Sequence, residues 1–172
     1  MAGSDEVEGI DKAIQAITIA TGKYLTFSLK KEEYGIGILK VKEIIGMMPV
    51  TSVPRTPKFV KGVINLRGKV IPVIDLRLKF DMESIAYNER TCIIVVEIDS
   101  DNATVLIGIV VDSVSEVLNI KAEEIQAPPA FGTRLDTQYI LGMAKTEGGV
   151  KILLNIDQVL STGDVEVLKN VS

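Results

Sequence analysis

Histidine does not occur in this chain, and cysteine occurs once, at Cys92. The first absence removes Ser-His-Asp and Cys-His nucleophiles, histidine-ligated metals and the commonest general base together. Cys92 opens the apolar run Cys92-Ile93-Ile94-Val95-Val96 and reads as a buried small hydrophobe rather than a reactive thiol. Acidic residues number 23, but none stand at a spacing that suggests a catalytic pair. The expectation is a chain without catalytic residues, metal or cofactor. With a net charge of −4, no tryptophan and 5% aromatic residues, it also lacks the basic groove and stacking platforms that bind nucleic acid. What remains is binding rather than catalysis; on the residues alone Glu43 reads as a solvated strand residue and Arg67 as a solvated turn residue, though a planar guanidinium can bond a carboxylate or several carbonyls at once.

Arg67 stands at the centre of the stretch that organises the chain. Residues 59–66 and 69–74 are rich in Val and Ile and flank the pair Arg67-Gly68, which predicts a hairpin with a tight turn. Gly68 supplies the positive φ such turns need. The near-continuous apolar character of both arms predicts burial on both faces, and Asp75 opens a short helical exit. The same pattern returns at residues 139–160: Gly62 is matched by Gly142, Gly68 by Gly148, Val70 by Val150 and Asp75 by Asn155, all 80 positions apart (62 to 142). A second block, Gly35 through Val41-Lys42-Glu43-Ile44-Ile45, is echoed by Gly108 through Val114-Ser115-Glu116-Val117-Leu118, 73 positions apart (35 to 108). Two blocks in the same order indicate an internal duplication, and two copies suit two small barrels better than a solenoid.

At 172 residues and 47% hydrophobic, the chain fits two small units that share an interface, because a half of this size buries only a thin core. Residues 1–22 read as a flexible N-terminal segment: Ile10, Ile14 and Ile17 mark one face of a helix too short to stand alone. This segment lacks the pattern of a secretory signal, and no stretch is apolar enough to span a membrane, so no direct membrane insertion is expected. Residues 24–29 alternate, placing Leu25, Phe27 and Leu29 inward and Thr26 and Ser28 outward. Pro49, Pro54 and Pro57 break the chain before the main hairpin, residues 81–90 read as a polar linker, and 91–98 and 104–111 as strands. The fold class is all-β. The expected boundaries are a first barrel over about residues 23–85, a second over about 90–160, and a C-terminal segment packing back on them.

Three blocks then carry a resemblance: residues 33–44, Phe59-Val-Lys-Gly-Val-Ile-Asn-Leu-Arg-Gly68, and Ile71-Pro-Val-Ile-Asp-Leu-Arg-Leu-Lys-Phe80. Together with residues 110–118 they resemble the CheW family of bacterial chemotaxis adaptors, over nearly everything from Tyr24 to Leu160. The resemblance implies two five-stranded SH3-like barrels and a cytoplasmic adaptor, recruited to membrane receptor arrays, that couples chemoreceptors to the histidine kinase CheA. It implies that the cytoplasmic tip of the receptor meets Ile38, Val41, Glu43, Lys61, Gly62 and Arg67. Arg67 either orders the groove or touches the receptor directly; Glu147 at the matching turn shows that the turn itself does not demand arginine. The kinase regulatory domain, or a ring neighbour, is implied to meet the stretch around Gln126 and Phe131, with Gln126 standing where many relatives carry arginine. The alternatives are a scaffold of the same shape in a different kinase pathway, such as surface motility or development, and a small barrel that binds nucleic acid.

Overall fold

The computed structural model describes residues 22–100, 103–127, 139–160 and 162–171. In chain order the strands are β1 (Lys23–Leu29), β2 (Glu32–Gly37), β3 (Val41–Gly46), β4 (Val60–Leu66), β5 (Lys69–Asp75), β6 (Cys92–Ser100), β7 (Ala103–Val111), β8 (Ser113–Asn119), β9 (Ile125–Gln126), β10 (Ile140–Thr146) and β11 (Gly149–Leu154). Short helices α1 (Leu76–Lys79) and α2 (Ile156–Val159) follow β5 and β11, and α3 (Thr162–Val171) closes the chain. None of the helices is long and apolar enough to cross a membrane among the described residues.

The strands form two sheets with one plan, β3-β6-β7-β5-β4 and β8-β1-β2-β11-β10-β9. Each consists of antiparallel pairs around one parallel pair. Val73 lies opposite Gly108 in β5 and β7, and Leu153 lies opposite Gly35 in β11 and β2, so the two sequence offsets are both obeyed in space. The first sheet rolls into a small SH3-like barrel, with Thr51 and Val63 exchanging backbone hydrogen bonds of 2.8 and 2.9 Å beyond β3. In the second, β9 occupies the corresponding place on β10.

The barrels do not divide the chain near residues 85–90 as expected. The barrel built on β3, β4 and β5 takes its central hairpin, β6–β7, from the second sequence copy. The other takes β1–β2 from the first. Connection length is the physical reason. Only Asp112 separates β7 from β8, a reach of roughly 7–8 Å. To remain in its own copy's barrel, β8 would begin on the far side of β6, one strand length away, about 20 Å. The chain instead runs straight on into the neighbouring barrel, as it does from β2 to β3 through the 3-10 turn Ile38–Lys40.

Interleaving gives the barrels a common core. Phe27, Leu29 and Ile36 from one pack with Ile74, Ile94, Ile107 and Ile109 from the other, and with Val165 and Leu168 of α3. Lys79 also pairs with Asp164 of α3 at 2.8 Å. Thr26 is buried, contrary to its expected outward position. The register of β1 against β8 shifts between Leu25 and Phe27, and there the Thr26 hydroxyl donates to the Glu116 carbonyl at 2.8 Å and accepts from the Glu116 N–H at 3.2 Å. A polar side chain replaces a missing ladder partner at this bulge.

Candidate partner-binding face

The main hairpin forms as expected. Leu66 faces Lys69 across a two-residue turn, with φ of 51° at Arg67 and 88° at Gly68, the paired left-handed geometry that matches strand twist. Burial on both faces holds only at the base, where Ile64, Ile71, Val73 and Ile74 are enclosed. At the tip Asn65, Arg67, Gly68, Lys69 and Val70 are exposed, so the hairpin projects from its barrel.

Projection brings Arg67 to Glu43 on β3, at the opposite edge of the sheet order, and the guanidinium donates to its carboxylate. Glu43 raises the pKa of Arg67 by hydrogen bonding first and charge second. Because the Arg67 side chain is 70% exposed, water screens the pair and its contribution to stability is small. Beside it lies a shallow depression of about 180 Å³ with Leu66, Ile71, Val95 and Leu106 as its apolar lining and Lys42 and Lys69 at its rim. Lys42 pairs with Glu97 at 2.5 Å. Two aliphatic side chains, Ile44 on β3 and Val70 on β5, remain exposed. An apolar floor bounded by oriented charges suits a protein segment: burial supplies affinity and the rim sets register.

The other expected contact residues sit differently. Ile38 and Val41 are half-buried against the shared core at the crossing from one barrel to the other. Gly62 is buried, with φ of 142° at the β4 bulge, and a Cβ there would collide with the Thr51 carbonyl oxygen. Its task is to let backbone approach backbone. Lys61, half-buried, extends over the ring of Tyr87 with Nζ 5.5 Å from the centroid. Gln126 is exposed on β9 opposite Met143, and Phe131 lies outside the described residues. Sequence reading missed Tyr87, hidden in a segment taken for a polar linker; an aromatic among polar residues was the available signal.

Such a face on interleaved barrels defines a protein-binding module. The chain belongs to the CheW family of chemotaxis signal-transduction adaptors: a family profile described as "CheW-like domain" matches residues 23–164. Chemotaxis protein CheW of Klebsiella aerogenes is 43% identical over 150 residues, covering 87% of this chain and 88% of that protein. Protein FrzA of Myxococcus xanthus is 27% identical over 154 residues, covering 88% and 93%. The crystal structure of the scaffolding protein TtCheW from Thermoanaerobacter tengcongensis superposes with a TM-score of 0.73 at 37% identity, over 83% of this chain and 94% of that one.

Proposed function

We propose that this protein is a cytoplasmic, non-enzymatic coupler that joins chemoreceptors to the histidine kinase CheA in receptor arrays. It acts by holding both partners so that receptor conformation biases kinase activity, which requires contacts that differ between at least two states. The observation that carries this reading is the Glu43–Arg67 pair at the projecting hairpin beside an apolar depression, within a CheW-like domain that spans most of the chain. The receptor's cytoplasmic tip meets Glu43, Lys61 and Arg67. Ile38 and Val41 back the face from the crossover, and Gly62 shapes its strand. Gln126 and Phe131 serve the contact with the kinase or its ring neighbour.

Calorimetric titration into the isolated regulatory domain of CheA from the same organism tests the kinase half. Saturable binding near one-to-one is expected, and absence of binding with both proteins folded refutes it. A second reading is a scaffold of the same shape in another kinase pathway, since a relative that is not named a chemotaxis protein, FrzA, matches most of the chain. Binding to that pathway's kinase and not to CheA would establish it.

A further inference from the structure

The segment after α1 is pinned in place rather than loosely connecting. The Met82 N–H donates to the Arg77 carbonyl at 2.8 Å, and Arg77 Nη1 donates to the Glu83 carbonyl at 3.2 Å. At its far end, the Asn88 N–H donates to Thr91 Oγ1 at 2.9 Å. Between these anchors Tyr87 packs against the barrel core formed by Ile64, Ile71, Val73 and Val95. Its hydroxyl donates to Asp75 Oδ2 at 2.8 Å. Asp75, 2% exposed, also caps α1, its Oδ1 accepting from the Arg77 N–H at 2.9 Å. The phenol is therefore fixed at both ends, with its ring lying beneath the Lys61 ammonium.

The second barrel does without this arrangement. At the matching positions Lys61 becomes Leu141 and Asp75 becomes Asn155, and Asn155 makes no side-chain cap to α2. Among the described residues the strap thus occurs only beside the hairpin that carries Arg67. We propose that Tyr87 is a positioning residue for Lys61, holding its ammonium on the receptor-contact side of β4. This rests on the receptor-binding reading above. Ring and cation attract through the ring quadrupole, and a long lysine side chain so restrained loses less rotamer freedom when a partner carboxylate arrives. Burial first, and the neighbouring Asp75 second, raise the pKa of Tyr87, so it remains a donor throughout the neutral range.

Two measurements on the full chain test the assignment. In the free protein, ring current should shift the Lys61 side-chain methylene protons upfield. Tyr87→Phe should retain that shift, and Tyr87→Leu should abolish it. For binding to a cytoplasmic tip fragment of a chemoreceptor, Lys61→Ala and Tyr87→Leu should each weaken affinity about three- to tenfold, and the double variant no further. Tyr87→Phe should remain within about twofold of wild type. Unshifted Lys61 protons in the wild type, loss of the shift in Tyr87→Phe, or additive affinity losses would overturn the proposal. Should Tyr87→Leu not fold, the wild-type and Tyr87→Phe spectra decide. Arg67→Ala separates the two readings. If it weakens binding while Lys61→Ala does not, this proposal alone falls; if neither does, the receptor reading falls with it.

Discussion

The two barrels share a plan and differ in charge. In one, Glu43 on β3 meets Arg67 at the hairpin tip. In the other, the matching residues are Glu116 and Glu147, both exposed. The same contrast recurs at the crossovers. Arg77 of α1 grips Asp112 between β7 and β8 with bonds of 2.7 and 2.5 Å, and the Lys30 N–H adds a third at 2.9 Å. On the other side the helix supplies the anion and the crossover the cation: Asp157 of α2 holds Lys40 at 2.8 Å, with Asp99 at 3.1 Å. Duplication thus kept the helix position of each clasp, Arg77 and Asp157, and left the charges and the crossover partners free to diverge. The shared features are backbone requirements, and the divergent ones can differentiate function.

The largest effects should come from backbone requirements. Gly62→Ala imposes a side chain at φ 142° against the Thr51 carbonyl and should cost on the order of 3 kcal/mol or more. Gly142→Ala meets Ile125 and the Gln126 carbonyl without a positive φ and should cost less, about 1–2 kcal/mol. Urea denaturation of both variants orders them, and equal losses would mean that the two bulges are under the same constraint.

Next come the clasps. Arg77→Ala should cost about 1–3 kcal/mol and Lys40→Ala about 1 kcal/mol, because Arg77 is 11% exposed whereas Asp99, one of the two partners of Lys40, is 68% exposed. Their pH dependences should be opposite. Burial by itself would raise the pKa of Asp112, but Arg77 and the Lys30 N–H outweigh it and hold it below the ordinary 3.8. Its contribution is therefore present above the unfolded value and lost as pH falls through the folded one. For Lys40, burial alone would lower the pKa; Asp157 and Asp99 outweigh it and raise it above 10.5. That contribution is complete below the unfolded value and lost as pH rises through the folded one. Thermal melts across pH should show Asp112→Asn flattening the acid limb and Lys40→Met flattening the alkaline limb; one variant altering both limbs would contradict this.

The smallest effect on stability should come from exchanging the tips. Arg67→Glu copies the second barrel's turn and should leave stability close to that of the wild type, while weakening receptor binding roughly tenfold. Glu147→Arg should alter neither by a comparable amount. Unchanged receptor affinity in a folded Arg67→Glu protein would remove Arg67 from the contact face.

Much of this was legible in the sequence because it is local or repeated. The Arg67-Gly68 turn, the strand runs and both offsets rest on short-range preferences that act alike in each copy. Thr26 was misplaced because alternation assumes an unbroken ladder, and the bulge opposite Glu116 breaks it. Val70 was misplaced because an apolar run does not say how far a hairpin extends beyond its barrel. Tyr87 was missed because its partners, Asp75 and Lys61, belong to other elements.

By itself, then, the sequence determined duplication, an all-β class and the membership that its motifs carry, since each resides in contiguous residues. Only the tertiary structure decided which hairpin enters which barrel, and that Glu43 and Arg67, at opposite edges of a sheet order, become neighbours. Strand exchange and barrel closure depend on pairings between distant segments, which are selected by connection length and shared burial rather than by any residue's own preference.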